Sequence, residues 1–299
     1  MIKKIVVYLI VCLSYLGFGQ ISQYNHFPTM RPSHILDEKL TDISFALSFR
    51  VLESDYNGPL VRLRRDSDNA QSDFGWADND IVDVAAIDAW RGTANVFVVI
   101  WYDQSGLGRN AIQNTEAFQP QFITDPVRPY FFGDGNNDRL DINTSIQTLT
   151  NAGVNGSVLT VVYSTSKNQF AFGTRQPGNN GNRWSAHINW SNNRVYFDSG
   201  ICCVNTVRYA TNTNNEWQQF SFIRENIIQT IRKNGIILRT GNYTNGRCSA
   251  TNNFGILYTN GNNGQFATNR FTELIMYRME ITLANTLEIE ENQISFWNL

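Results

Sequence analysis

Charge is scarce in this chain: Asp, Glu, Lys and Arg together make up 17% of its 299 residues, and no basic block gathers among them. A protein that neutralises nucleic-acid phosphates needs a concentrated cationic face, so nucleic acid is excluded as a partner. Histidine occurs three times, at His26, His34 and His187, too scattered for a local metal-ligand pattern. No serine or cysteine stands in a nucleophile-elbow context. The seven prolines do not cluster into a linker, so nothing marks a domain boundary. Apolar runs long enough to span a bilayer are missing after the first twenty residues, which predicts no transmembrane segment in the mature chain.

The one long apolar run, IVVYLIVCLSYLGF, follows Lys3 and Lys4 and ends among small residues. That is the pattern of a secretory signal peptide over residues 1–19, leaving residues 20–299 as one domain that is secreted, or held at the cell surface or in the periplasm. Losing the two lysines takes the formal charge from -2 to -4. Of the four cysteines, Cys202, Cys203 and Cys248 remain in a compartment that permits disulfides. One of the three must stay out of any internal bond. The adjacent pair Cys202 and Cys203 is favoured because GICCVN sits beside an expected turn, with Cys248 bonded to either neighbour as the alternative.

Strand signals dominate what is present. PLVRLRR, NVFVVIWY, RPYFF, SVLTVVYS, WSAHINW, RVYFD, QQFSFIRE, FGILY and RFTELIMYRME are apolar or alternating runs of strand length, separated by Asn, Gly, Asp and Ser. They predict an all-β, antiparallel sandwich. RENIIQTIRKNGIILRTG reads as a hairpin reversing at Asn234 and Gly235. Helix is expected only at the periphery: over LDEKLTDISFALSFRVLESDY, over DNDIVDVAAIDAWRG, and as a closing helix over TLANTLEIEENQISFWNL.

Carboxylates are the only plausible catalytic class, and glycosidic cleavage needs two of them facing each other. Asp198, Glu216 and Glu225 are the candidates for a displaced pair. Asp103, directly after a strand in VIWYDQSGLG, lies at the rim of the sheet, as either a turn organiser or a ligand contact. The aromatic residues Trp184, Trp190 and Tyr196 are placed to stack on sugar faces if they are not core, and Asn260 lies in an Asn- and Gly-rich loop suited to hydrogen bonding a neutral or weakly charged glycan. In VRLRRDSDNAQSDFGW, Arg62 and Arg64 alternate with Leu63, and Asp66, Asp68 and Asp73 can neutralise Arg62, Arg64 and Arg65, which predicts a structural Arg and Asp lattice. Asp134 and Asp138 in YFFGDGNNDRLDI are oxygen ligands for calcium if the protein takes any metal, although the spacing is not that of an EF-hand.

The order ALSFRVLESDYNGPLVRLRRDSDNAQSDFG, NVFVVIWYDQSGLGRNAIQN and RPYFFGDGNNDRLDI resembles the catalytic domain of the fungal-type α-L-arabinofuranosidase B family and its bacterial relatives. The later FDSGICC and FGILYTNGNNGQFATNRFTELIMYR resemble the wider concanavalin-like, laminin-G-like group. The resemblance implies a concanavalin A-like (jelly-roll) β-sandwich with a few short helices. It also implies a retaining hydrolase with a Glu nucleophile and an Asp acid, yet it puts Ser191 at the nucleophile position and Thr259 or Asn260 at the acid position. In the enzymes an adjacent cysteine pair touches the sugar but precedes the nucleophile strand, whereas Cys202 and Cys203 follow WSNN. The resemblance further marks YDQSG, with Tyr102 at the strand end, as scaffold. The sequence therefore favours a carbohydrate-recognising relative without the catalytic pair. An active arabinofuranosidase with displaced carboxylates, and an adhesion sandwich with a protein partner, are the alternatives.

Overall fold

The computed structural model describes residues 34–261 and 264–299; the leader expected over residues 1–19 lies outside them. Eighteen strands occur among the described residues, and every ladder between them is antiparallel. One sheet runs, in spatial order, β1 (Ile43–Ser48), β18 (Arg270–Tyr277), β9 (Gly156–Tyr163), β14 (Trp217–Glu225), β15 (Ile228–Lys233) and β16 (Ile236–Asn242). The other runs β3 (Gln71–Phe74), β2 (Val61–Arg65), β4 (Val96–Trp101), β5 (Ala111–Ile112), β8 (Leu140–Ser145), β17 (Asn253–Ile256), β10 (Phe172–Gln176), β11 (Asn179–His187), β12 (Arg194–Ile201) and β13 (Tyr209–Thr211). The short strands β6 (Gln121–Ile123) and β7 (Tyr130–Phe132) join β4 to β18 and so lace the two sheets together.

Aromatic rings from the inner faces interlock. Phe45 of β1 meets Phe254 of β17 at 5.7 Å, and Phe222 of β14 lies 5.6 Å from Phe172 of β10 and 5.4 Å from Phe197 of β12. These contacts cross from sheet to sheet, which is what makes the molecule a sandwich. Gly173 belongs to this packing: its φ is +136°, and a Cβ there would lie 2.2 Å from the Trp184 carbonyl oxygen, so no other residue lets β10 come this close to β11. The hairpin forms as expected, with Asn234 at φ 46° and Gly235 at φ 81° turning β15 into β16.

Helices α1 (Val84–Arg91) and α3 (Leu283–Trp297) lie in two of the three segments expected to be helical. Asp83 caps α1 by accepting from the Ala86 N–H at 2.9 Å, and Thr282 caps α3 through Asn285 at 3.2 Å. A third, single-turn helix α2 covers Ile146–Leu149. The remaining expectation is corrected: residues 36–56 hold no long helix but strand β1, buried along its whole length. Its apolar residues occupy both parities because both faces are covered, which blurs the alternation that would have marked a strand. The second cover is a smaller core in which Ile35, Leu36, Leu52 and Ile289 of α3 pack with Ile43 and Ala46 of β1, Leu159 and Ile275. Helix α3 itself lies on the outside of β9 and β14, where Ile289, Glu290, Gln293 and Trp297 are buried.

Candidate functional site

Period-2 alternation along two neighbouring strands builds the site. On β11, Trp184 and Ala186 face the core while Arg183, Ser185 and His187 face the other way; on β12, Val195 and Phe197 face the core while Tyr196 and Asp198 turn outward. Register then sets His187 opposite Tyr196 and Ser185 opposite Asp198. On that outer face a cavity of about 290 Å³ opens, and Cys203, Trp190 and Arg208 complete it with Phe170 and Gln265.

His187 is the hub of its wall. The imidazole lies 4.1 Å from the ring of Phe170, 4.6 Å edge-on from Trp190 and 5.7 Å from Tyr196. Its Nδ1 is 2.6 Å from the Gln169 carbonyl oxygen, which can only accept, so Nδ1 carries the proton and Nε2 the lone pair. Burial pushes its pKa down to about 3, and the cations Arg183 and Arg208 push in the same direction against the Gln169 bond and Asp198. The histidine is neutral at every physiological pH.

Asp198 is fully buried behind the cavity and clamped by two arginines. Arg183 reaches Oδ2 with Nε at 3.0 Å and Nη2 at 2.6 Å; Arg208 reaches Oδ1 with Nε at 2.9 Å and Oδ2 with Nη2 at 2.8 Å. Burial by itself would raise the Asp198 pKa, but the two guanidiniums outweigh it and hold the carboxyl below its ordinary value. The adjacent cysteines are joined to each other, and Cys248 is free and buried. Arg183 Nη2 sits 2.9 Å from the Cys202 sulfur, tying the pair to the same cluster. Asp198 and the two sulfurs are close enough for a shared ion, but sulfurs joined in a disulfide are not thiolate ligands.

The expected site residues therefore disperse. Trp190, Asp198, Cys202 and Cys203 come together here. Trp184 is instead a core side chain, wholly buried and 5.4 Å from Phe197, because β11 sends its parity inward. Glu216 and Glu225 are exposed and flank the two ends of β14, roughly 30 Å apart at about 3.4 Å per residue, so they do not face each other across one sugar. Asn260 lines a different cavity of about 520 Å³, where its amide and the Tyr258 hydroxyl both donate to Asp141 Oδ1. Arg139 borders the same space with its guanidinium 3.9 Å from the Phe118 ring.

Asp103 is a buried turn organiser. It accepts from the Ala46 N–H at 2.8 Å, the Ser105 N–H and hydroxyl at 3.0 and 2.8 Å, and the Arg109 N–H at 2.9 Å. Gln104 beside it accepts from Leu52 and donates to the Ser48 and Arg50 carbonyls, so YDQSG staples β1 and the chain that follows it. The arginine lattice forms with altered partners. Arg62 pairs bidentately with Asp73, which also accepts from the Tyr102 hydroxyl, and Arg65 pairs with Asp68, whose pKa falls to about 2 through that bond. Arg64 has neutral partners, Gln119 and Asn69, and Asp66 holds Asn95. Asp134 and Asp138 close a loop on themselves: Asp134 accepts from three following backbone N–H groups while Asp138 accepts from the Asp134 N–H. Burial, with the Asp134 charge adding to it, pushes Asp138 up to about 6.

Tyr196 was offered by the sequence as a stacking ring and lines the cavity, whereas Phe170, Arg183, His187, Arg208 and Gln265 were missed. The alternation in RWSAH and VYFD carries the signal for two of them, since it sets Arg183 and His187 on one face with Tyr196 and Asp198. Phe170, Arg208 and Gln265 come from loops and have no such mark.

The architecture is that of the sandwich in GH54 arabinofuranosidases. The chain is similar to a GH54 α-L-arabinofuranosidase soaked with a cyclic sulfate inhibitor, with a TM-score of 0.69 at 15% identity over 85% of this chain. It is also similar to an arabinofuranosidase complexed with arabinofuranosyl-α-1,2-xylobiose, with a TM-score of 0.68 at 14% identity over 85% of this chain. The chain spans 63% and 62% of the length of those two structures. No protein-family model matches the sequence, and no curated protein matches it. At this identity the likeness establishes the fold.

Proposed function

We propose that this domain recognises a carbohydrate in the cavity beside the Cys202 and Cys203 pair and does not cleave it. One observation carries the reading: aromatic rings and the adjacent disulfide line the cavity, and no aspartate or glutamate is among its lining residues. Rings flanked by a few polar groups suit the apolar face and hydroxyl rim of a sugar. Hydrolysis needs a proton donor and a second carboxylate about 5 to 10 Å away. Asp198, behind the wall, has both oxygens committed to arginines and a lowered pKa, so it is a poor proton donor at neutral pH. The likeness to arabinofuranosidase structures supports a glycan as the ligand class, and arabinose-containing glycans are the first to test. A disulfide also suits an oxidising, extracytoplasmic setting, and no described helix is long and apolar enough to cross a membrane.

The test is a glycan array run beside a release assay on arabinofuranosyl substrates. Binding without release is expected, and Trp190→Ala should reduce that binding at least about tenfold by deleting a stacking face. Sugar release that disappears on replacing one of two neighbouring carboxylates would overturn the non-catalytic reading.

A further inference from the structure

The cavity holds an unequal charge. Arg183 and Arg208 both line it, while Asp198, the one carboxylate seen to pair with them among the described residues, lies behind them. Two cations against one anion leave a surplus of one positive charge. Both guanidiniums are largely withdrawn from solvent, with side-chain exposures of 13% and 15%, so water screens that surplus poorly. Arg208 spends Nε and Nη2 on Asp198, and its Nη1 has no hydrogen-bond partner among the described residues. His187 adds no charge, and Gln265 offers only an amide. The chain as a whole is weakly acidic, so this positive spot is a local construction and not part of a basic surface.

We propose that the cavity selects a sugar bearing a carboxylate, a glycuronic acid residue, its ring against Trp190 and Tyr196 and its carboxylate on Arg208. This deepens the carbohydrate reading and rests on it. A partly desolvated charge without a counter-ion is unfavourable until a ligand supplies one, and a carboxylate brings the single negative charge that balances the cluster. Arginine suits it, because a planar guanidinium matches a carboxylate and each charge-assisted hydrogen bond exceeds a neutral one. The cavity, about 290 Å³, is at the small end for ligand sites, the scale of one sugar ring. A neutral glycan, the expectation from composition, would leave the surplus unanswered.

Calorimetric titration of the full chain with methyl glucuronoside and methyl galacturonoside, each beside its methyl ester and the corresponding neutral hexoside, tests this. At least one free acid should bind about tenfold or more tightly than its ester, the scale of one hydrogen bond to a charged group. That advantage should shrink as salt is raised. Arg208→Gln should weaken binding of the free acid more than that of its ester and so remove the preference, while Arg208→Lys should keep part of it. If Arg208→Gln does not fold, the acid and ester comparison on the native chain still decides. Equal binding of acid, ester and neutral sugar, all lost in Trp190→Ala, would overturn the acid selectivity and leave the carbohydrate reading standing. Acetate binding as tightly as the glycuronosides would reduce the site to a simple anion site. No binding of any sugar would overturn both readings.

Discussion

At the scale of single residues, the same side-chain type does opposite jobs in different surroundings. Asp103 and Asp198 are both buried and both saturated with hydrogen bonds, yet the first answers backbone N–H groups and the second answers guanidiniums. Asp103 therefore fixes the path of the chain, and Asp198 fixes two cations at a cavity wall. Replacing Asp103 by Ala strands the N–H groups of Ala46, Ser105 and Arg109 in a buried loop. A loss of about 3 kcal/mol or more is expected, since hydrogen bonds to a charged group are worth about 1.5 to 3 kcal/mol each. Urea denaturation of Asp103→Ala checks it, and a midpoint unchanged from the parent would refute the assignment. The strand-then-glycine context of Asp103 was readable in the sequence because its turn is local. The Asp198 clamp was not, because Arg183 lies on the neighbouring strand and Arg208 in the loop before β13.

At the scale of elements, α3 stays on the sheet through a buried polar network as much as through apolar contact. Glu273 of β18 accepts from Arg50 at 2.7 and 3.0 Å, from Gln293 of α3 at 3.0 Å and from the Trp297 indole at 2.9 Å. Arg232 of β15 makes a second buried pair with Glu290 of the same helix at 2.7 Å. Burial raises the Glu273 pKa, but Arg50 and the hydrogen bonds from Trp297 and Gln293 outweigh it, so the carboxyl stays below its ordinary value. Glu273→Ala leaves Arg50 buried without a counter-charge, and such breakage destabilises by about 3 to 5 kcal/mol. The expected readout is an earlier denaturation midpoint together with exposure of Trp297 to solvent, seen as a red shift in fluorescence. A variant with parental stability would show that α3 is held by apolar packing alone. The closing helix α3 was readable in the sequence, but its landing site was invisible there, since the acid it grips belongs to a strand of the sheet it covers.

At the scale of the whole molecule, the buried ionisable groups set how stability responds to acid. His187 has a folded pKa near 3 against an ordinary 6.5, so between those values the unfolded chain binds a proton that the folded chain refuses. The His187 contribution is therefore lost as pH drops from about 6.5 towards 3, while Asp138, raised to about 6 in the folded chain, adds stability as pH falls through that value. Glu273 and Asp198, whose pKa values are lowered, contribute stability that is complete above the ordinary carboxylate range and is lost as pH falls through their folded values. The urea midpoint of His187→Phe should thus hold up better than that of the parent between pH 6.5 and 5, while both keep the steeper loss at lower pH. Parallel midpoint-against-pH curves for parent and variant between pH 6.5 and 5 would contradict a neutral, buried His187. The sequence alone determined the all-β antiparallel class, the hairpin at Asn234 and Gly235 and two of the helices, because alternation, turn chemistry and caps act over a few neighbouring residues. It also limited the charge and put the adjacent cysteines together by covalent neighbourhood. Only the tertiary structure decided that β1 is a strand covered on both faces, that Trp184 goes inward while Trp190 does not, and that Arg183, Asp198 and Arg208 share one wall. Those outcomes depend on strand register and on which layer lies above each face, and register is fixed by partners dozens to hundreds of residues away in the chain.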